Sequence, residues 1–151
     1  MQNNSTNEAK MRVRAWLKIL KTSNFIEKNV RERLRSNHQT TLPRFDVMAA
    51  LYRSNNGLKM SELSGVLKVS NGNITGIIDR LVQDGHVKRT TIQGDRRAYL
   101  ASLTKKGSTQ FQAYALEHET WINEILSDIS IEDANIITKL LTFITDKGDL
   151  K

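Results

Sequence analysis

Apolar residues recur three or four positions apart through most of the chain, which is the spacing of one face of an α-helix. From Glu8 to about Ser36 the pattern runs without Gly or Pro and predicts one long amphipathic helix. Pro43 suits the first turn of a second helix that runs to about Ser54, because its missing N–H would be unpaired there anyway. After a turn at residues 55–57, a short capped helix is predicted from Ser61.

The second half of the chain mixes helical and strand patterns. Ser70 is placed to cap a helix whose apolar stripe predicts one buried face, formed by Ile74, Ile77, Ile78, Leu81 and Val82. Two short runs suited to strands, Val87–Ile92 and Ala98–Leu103, flank a glycine-containing turn and predict a β-hairpin. A long helix capped by Thr104 and another over Ile131–Asp146 follow. The predicted fold class is therefore mainly α with one small β-hairpin.

Composition excludes several classes of function. The 151 residues contain no cysteine, so the chain has no disulfide, thiol nucleophile or cysteine-ligated metal site. Its three histidines lack metal-ligand spacing, and no catalytic motif is present, so we expect neither an enzyme nor a metal or cofactor. No run approaches roughly 18 apolar residues, and the polar N-terminus lacks the core of a signal peptide. We expect a cytoplasmic protein with no membrane partner.

The charge of the chain suggests a polyanionic partner. The net charge is +7, and fixed cations displace the counterions that condense on a phosphate backbone. Residues 79–106 hold seven Lys or Arg against three Asp or Glu, whereas residues 111–151 hold three against eight. Residues 10–35 are also basic, and both a solvated helix face and a phosphate-facing role remain open for them. The basic residues of 79–106 coincide with the predicted hairpin.

The two short helices before the hairpin form a helix-turn-helix pattern, in which the second helix enters the DNA major groove. With its isoleucines buried, this second helix exposes small polar residues: Asn71, Gly72, Asn73, Thr75 and Gly76. Asn can bond adenine edges, Thr can bond bases or phosphates, and glycine allows close approach. The alternative is that any short helix pair has a polar outer face.

The hairpin that follows resembles the wing of a DNA-binding lobe, because it carries Lys88, Arg89, Arg96 and Arg97. An arginine at a hairpin tip can reach the minor groove, where the potential is most negative over narrow A·T-rich steps. We expect Asp95 to pair with a neighbouring arginine and fix its direction. An exposed turn aspartate without such a role is the alternative.

Several short segments occur in a fixed order and spacing: Met60–Ser64, Val69–Thr75, Asp79–Leu81, Asp84–Arg89 and Asp95–Arg97, followed by Leu103-Thr104 and Gly107. Together they resemble the MarR (multiple antibiotic resistance regulator) family of winged helix-turn-helix regulators over about residues 42–110. The resemblance implies a homodimer whose terminal helices interlock and present two winged lobes to double-stranded DNA with a pseudo-palindromic operator. It also implies that the chain is a transcriptional regulator, expected here to be a repressor.

The resemblance implies a role for each matching residue. Base readout falls to Asn71, Asn73 and Thr75, phosphate or scaffold contacts fall to Ser70 and Arg80, and the wing-tip insertion falls to Arg97, with Asp95 orienting it. Lys88 and Arg96 are candidate DNA contacts because they lie on the same basic hairpin. Gly76 departs from the larger, often basic residue common at its position, so the operator preference of other members does not transfer.

The implied domain organisation has three parts. Residues 1–7 form a disordered tail, residues 37–107 form the winged helix-turn-helix DNA-binding lobe, and residues 8–36 with 108–151 form a helical dimerisation region. The terminal helices carry more apolar surface than one small lobe needs, including Trp16 and Trp121, and symmetric dimers are the commonest oligomers. Use of these residues in a monomeric core is the alternative.

The resemblance further implies an effector pocket for an aromatic acid or its CoA thioester. Its candidate residues are Trp16, Arg44, Phe45, Met48 and Tyr52, near a Leu42–Asp46 segment similar to branches tied to aromatic-acid degradation. The alternative places Phe45 and Met48 in the core and Arg44 on a solvated surface. An architectural DNA-binding protein without an effector is the second interpretation of the whole chain.

Overall fold

A computed structural model describes residues 2–67 and 71–147 of the chain. In chain order the elements are α1 (Gln2–His38), α2 (Leu42–Arg53), β1 (Leu58–Lys59), α3 (Met60–Leu67), α4 (Asn71–Gln83), β2 (Val87–Ile92), β3 (Asp95–Leu103), α5 (Lys105–Ile125) and α6 (Ile131–Asp146). The prediction of a mainly helical fold with a small β-hairpin is confirmed. The chain divides into two compact units, residues 1–118 and 119–151.

The first helix is longer than the sequence pattern predicted. Residues 2–7, expected to be a disordered tail, continue α1 in the structure. The segment contains neither Gly nor Pro, and just beyond it Arg12 pairs with Glu8 one helical turn away at 3.4 Å. Polar composition alone therefore did not end the helix. At its other end, Gln39 adopts a φ of 53°, and its N–H donates to the carbonyl of Arg35.

The core of the first unit lies where α2, α3 and α4 meet the sheet. The hydroxyl of Thr41 caps α2 by accepting a hydrogen bond from the N–H of Arg44, and Pro43 occupies the first turn as predicted. The largest fully buried side chains come from α1 to α4: Leu34, Val47, Met48, Leu63, Ile74, Ile78 and Leu81. The buried stripe predicted for α4 is thus centred on Ile74, Ile78 and Leu81.

The sheet has three antiparallel strands in the order β1-β3-β2. Strands β2 and β3 form the predicted hairpin, turning at Gly94, which has a φ of 92°. The two-residue strand β1 was not predicted, because two residues show no periodicity. It pairs Leu58 with Ala101, and a Cβ on Gly57 would lie 2.8 Å from the Ala101 carbonyl oxygen, so glycine is needed there.

Residues 119–151 contain the end of α5 and all of α6. Ser130 caps α6 by accepting a hydrogen bond from the N–H of Asp133, and the acidic Glu132 and Asp133 suit the positive end of the helix dipole. All described residues of α6 are exposed, including its large apolar side chains. Within the described ranges, none of the helices has both the length and the hydropathy that crossing a membrane would require.

Candidate nucleic-acid interface

Helix α4 has one buried and one exposed face. Ile74 and Ile78 are 0% exposed, whereas Gly72, Asn73, Thr75 and Gly76 are all exposed. A helix turns about 100° per residue, so Asn73 and the exposed Arg80 share one flank of this outer face. Thr75 and Asp79 share the other flank. The outer face therefore offers amide, hydroxyl and guanidinium groups beside two glycines that add no bulk.

Two further residues predicted to contact DNA, Asn71 and Ser70, lie at the start of this segment of the sequence. Asn71 is the first residue of α4. Ser70, the predicted cap and phosphate contact, lies outside the described residues. Of the residues predicted to read bases, Asn73 and Thr75 are therefore the two whose side chains are described, and both are exposed.

The wing, residues 87–103, follows α4 after a tight connection. Gly85 has a φ of 77°, and the N–H of His86 donates to the carbonyl of Leu81 at 2.9 Å, which ends the helix. Lys88 on β2 and Arg97 on β3 are exposed, and Arg96 is the second residue of β3. The structure therefore brings these predicted wing residues to a hairpin next to α4.

Asp95 acts on Arg97 differently from the sequence-based expectation. Its Oδ1 accepts a hydrogen bond from the backbone N–H of Arg97 at 2.9 Å. A carboxylate two residues before an amide forms this local bond more readily than it reaches a long, solvated guanidinium. Asp95 thus fixes the main chain from which the Arg97 side chain projects.

Arg89 is held by neighbouring side chains. Its guanidinium forms an ion pair with Asp79 of α4, and its Cζ lies 5.0 Å from the centre of the Tyr99 ring. The sequence grouped Arg89 with the cations of the hairpin. The ion pair joins residues ten positions apart on a helix and a strand, and no periodic pattern in the sequence predicts such a contact.

The effector candidates are not brought together within one chain. Phe45 is 7% exposed and Met48 is 1% exposed, so both belong to the core of the lobe. Trp16 is 55% exposed and lies 14 residues before the buried Val30, so the two are about 21 Å apart along α1. Arg44 is half-buried and Tyr52 is exposed on α2.

An aromatic cluster joins α2 to α5. The ring of Phe111 lies 5.5 Å from that of Phe45 and 4.9 Å from that of Tyr52, and His118 stacks on Phe45 at 5.0 Å. The Nε2 of Gln112 donates to the Tyr52 hydroxyl at 3.0 Å. Sequence reasoning missed Phe111, Gln112 and His118, because only the packing of α5 on α2 brings them to Tyr52.

Burial perturbs two titratable groups beside this cluster. It raises the pKa of Asp46, with Glu27 adding to the rise, while His118, Arg31 and Arg53 oppose it. It lowers the pKa of His118, and the nearby Asp46 opposes that shift. Across residues 2–67 and 71–147, no group of His, Asp and Glu side chains could hold a metal ion.

Comparison with known proteins identifies the family. The MarR family model matches residues 40–99. The crystal structure of a MarR family transcriptional regulator from Silicibacter pomeroyi is 31% identical, covers 93% of this chain and 96% of that one, and superposes with a TM-score of 0.78. The chain belongs to the MarR family. It is a winged-helix transcriptional regulator, and the relatives found are regulators and not enzymes.

Two other similarities help to define this MarR-family chain. The transcriptional activatory protein BadR from Rhodopseudomonas palustris is 31% identical over 144 residues, which are 92% of this chain and 82% of BadR. A mutant MarR from E. coli complexed with operator DNA is 23% identical, covers 89% of this chain and 95% of that one, and has a TM-score of 0.75. The second similarity concerns the fold.

Proposed function

We propose that this MarR-family regulator binds a pseudo-palindromic operator as a homodimer, with α4 in the major groove and the wing beside it. The observation that carries the proposal is the outer face of α4, which is exposed and polar opposite its buried isoleucines and directly precedes a basic hairpin. A mutant MarR from E. coli, whose fold this chain shares, was crystallised with operator DNA, which supports operator binding by this chain.

Within the major groove, Asn73 and Thr75 read base edges, together with Asn71. Asn is suited to bidentate bonding with adenine, and the neighbouring Gly72 and Gly76 allow the helix backbone to approach the bases. Arg80 lies on the Asn73 flank two turns later, where the axial rise carries it away from the base edges. It contacts a phosphate there, and Ser70, which precedes Asn71 in the sequence, is proposed as a second phosphate contact, so that both fix the position of α4 on the duplex.

The wing contributes basic side chains that contact the minor groove and the phosphates. Arg97 projects from the strand that begins at the hairpin turn, and Asp95 holds its backbone by the 2.9 Å hydrogen bond. A guanidinium on such a hairpin enters the minor groove, while Lys88 and Arg96 contribute phosphate contacts. Because Lys88 and Arg97 are exposed on short strands, their contribution is to affinity and not to the stability of the lobe.

The homodimer is supported by apolar surface that a single chain leaves exposed. Helix α1 exposes Met11, Val13, Trp16, Leu17, Ile19, Leu20 and Phe25. Helix α6 exposes Ile131, Ile136, Ile137, Leu140, Leu141, Phe143 and Ile144. Large apolar side chains exposed in this number mark interfaces, and closed two-fold symmetry buries the same residues on both copies.

The effector is proposed to be an aromatic carboxylate or its CoA thioester. Such a ligand needs an aromatic wall and a cation, and the half-buried Arg44 and the exposed Tyr52 ring beside Phe111 offer both on one helix. Phe45 supports this wall from the core, since its ring lies 5.5 Å from that of Phe111, and Met48 is buried on the same helix. Trp16 is too far along α1 to join it within one chain, so its proposed contribution comes from the second copy.

Selection of bound fragments from a random DNA pool tests the proposal. We expect two inverted half-sites about one helical turn, or 10 base pairs, apart. Single half-sites or no enrichment would contradict symmetric operator binding. Aromatic carboxylates and their CoA thioesters, added to the selected complex, should release the DNA by favouring a different spacing of the two lobes. An architectural protein would bind without any such response.

The sign of regulation is proposed to be repression through occupation of promoter DNA in the cytoplasm. BadR, by its name, is an activatory protein, so the sign needs its own measurement. A reporter placed behind the selected operator should be silenced by the protein and restored by the effector. Increased reporter expression would show activation.

A further inference from the structure

We propose that Arg89 is a positioning residue for DNA binding. Its ion pair with Asp79 and its packing on Tyr99 form a brace that holds the wing at a fixed angle to α4. The brace allows α4 and the wing tip to engage the duplex together. This inference rests on the proposed docking of both elements on DNA, and it assigns Arg89 a role other than a phosphate contact.

The brace connects three elements through one side chain. Arg89 is the third residue of β2, Asp79 lies on the exposed flank of α4, and Tyr99 belongs to β3. In the hairpin register, Arg89 pairs with Ala101 and Thr91 pairs with Tyr99, so Arg89 and Tyr99 are diagonal neighbours on one face. The guanidinium therefore contacts both strands of the wing and the helix beside them.

Arginine is the side chain suited to this position. Its planar guanidinium can bond a carboxylate through its edge and pack its face on an aromatic ring at the same time. A lysine ammonium is a compact, strongly hydrated charge that cannot pack a flat face in this way. The ion pair with Asp79 also engages one of the guanidinium nitrogens, which leaves fewer donors for a phosphate.

The adjacent Lys88 provides the matched comparison. Successive residues of a strand point to opposite faces, so Lys88 lies on the other face of the hairpin from Arg89. It is exposed, and it carries the same formal charge. Removing Lys88 should therefore report the loss of a phosphate contact, whereas removing Arg89 should report the loss of the brace.

The energetic contribution of the brace appears in binding and not in folding. The side chains of Arg89 and Asp79 are 34% and 52% exposed, and exposed ion pairs typically contribute little to the free energy of unfolding. Binding is more sensitive, because a wing that moves freely must be ordered each time the protein docks. Fixing it beforehand removes that cost.

Asp79→Asn gives a test whose sign distinguishes the two roles. Removing a carboxylate close to DNA strengthens binding if only the net charge matters, because the polyanion repels it. If the brace matters, Asp79→Asn and Arg89→Gln should each weaken binding to the selected operator roughly five- to thirtyfold. The double variant should be no weaker than either single variant, and Arg89→Lys should not restore full affinity.

Salt dependence supplies the second readout. The slope of log affinity against log salt should be unchanged in Asp79→Asn and Arg89→Gln, and it should fall by about one unit in Lys88→Gln. The charge exchange Asp79→Arg with Arg89→Asp should recover part of the affinity that the single changes lose. Stronger binding by Asp79→Asn, or a loss of one unit of slope in Arg89→Gln, would overturn the brace.

Backbone relaxation of the free protein tests the brace without DNA. The amide order parameter of Gly94 at the hairpin turn should fall from the rigid range, about 0.85, in both Asp79→Asn and Arg89→Gln, and it should stay unchanged in Lys88→Gln. An unchanged order parameter in all three variants would overturn the inference. If the wild-type protein failed to select any DNA while Gly94 responded as expected, the brace would stand and the proposed docking would fail.

Discussion

Thr104 joins the end of the wing to the turn that ends α4, because its hydroxyl donates a hydrogen bond to the carbonyl of Gly85 at 2.6 Å. The same hydroxyl accepts one from the N–H of Gly107 at 3.0 Å, and the N–H of Thr104 donates to the carbonyl of His86 at 3.0 Å. These bonds bring the start of α5 against residues 85 and 86. They fix the base of the wing relative to the helix proposed to read DNA.

Gly107 is required by this close approach. A Cβ at position 107 would lie 2.0 Å from the carbonyl oxygen of His86. Because that oxygen belongs to the backbone, the clash can be relieved only if the main chain shifts. We expect Gly107→Ala to lower the free energy of unfolding by about 1–3 kcal/mol, the range for overpacking. Urea unfolding measures the change.

Gly65→Ala is the matched control for this prediction. Gly65 is also helical, but nothing lies within 4 Å of the Cβ that the substitution adds. Alanine should therefore stabilise α3 by about 0.5–1 kcal/mol through its higher helix propensity. Equal unfolding free energies for Gly107→Ala and the wild type would contradict the steric argument.

Asn73→Ala tests the proposed base readout by α4. Discrimination between the selected operator and scrambled DNA should fall by about 1–3 kcal/mol, which is the range for one good base-edge contact. Binding to scrambled DNA should change little. Gln83→Ala, an exposed position at the last residue of the same helix, should leave discrimination unchanged. An equal loss on both DNAs would show that Asn73 contacts the backbone alone.

The regular parts of the fold could be predicted from sequence, because they have a period. The isoleucine stripe of α4 and the hairpin turn at Gly94 are local patterns, and the structure shows both. Strand β1 has no such signal, since its two residues become a strand only by pairing with β3. The polar composition of residues 2–7 predicts disorder and carries no signal of the N-terminal extension of α1.

For the candidate site too, local patterns could be predicted from the sequence, whereas contacts between distant segments could not. Exposure of Asn73 and Thr75 could be deduced from the buried face opposite them. The partner of Arg89 could not, because a contact between α4 and β2 depends on how the hairpin packs. Phe45 and Met48 illustrate a different limit, since an apolar residue on a helix has the same pattern whether it lines a ligand site or fills the core.

Leu140→Asp tests the proposed dimer. Leu140 is 58% exposed on α6, so a charge there should not disturb the core of a single chain. In a dimer it would bury an unpaired carboxylate, and we expect dissociation to monomers. Sedimentation should give twice the 17.2 kDa chain mass for the wild type and the single mass for the variant.

Thr142→Asp is the control on the same helix. Two residues further along α6, at about 100° per residue, position 142 lies on the face opposite Leu140. This variant should remain dimeric. A monomeric wild type would contradict the dimer, and dissociation of both variants would show that the interface is not confined to the apolar face.

His118 should make the free energy of unfolding depend on pH. Burial lowers its pKa in the folded chain, so as the pH falls below about 6.5 the unfolded chain binds the proton first. The stabilising contribution of the neutral ring is therefore complete above pH 6.5 and is lost as the pH falls toward the folded pKa. His118→Gln should flatten this decline in urea unfolding measured from about pH 7.5 to 5.5.

The titrations of His86 and Asp46 also change the free energy of unfolding with pH, so the variant must be compared with the wild type. Burial also lowers the pKa of His86, so part of the decline should remain in His118→Gln. The raised pKa of Asp46 acts with the opposite sign, since it makes stability increase as the pH falls. The difference between variant and wild type reports the titration of His118 together with its coupling to Asp46, because each group shifts the pKa of the other. Identical pH profiles for the two proteins would contradict the contribution assigned to His118.

Arg97→Ala tests the wing tip. The exposed hairpin tip buries little apolar surface, so the variant should keep the wild-type unfolding free energy and oligomeric state. Its operator affinity should fall severely, most of all on operators with A·T-rich flanks, because a guanidinium is favoured where the minor groove is narrow and most negative. The slope of log affinity against log salt should become shallower by about one unit.

Asp95→Ala separates position from charge at the same tip. It removes the 2.9 Å hydrogen bond that holds the backbone of Arg97 but leaves the guanidinium in place. Affinity should therefore fall less than in Arg97→Ala, and the salt slope should stay at the wild-type value. Gln93→Ala, an exposed neutral position in the same hairpin turn, should change neither quantity. Unchanged affinity and slope in Arg97→Ala would show that Arg97 does not contact DNA, because removing a cation bound between phosphates must reduce the number of counterions released on binding.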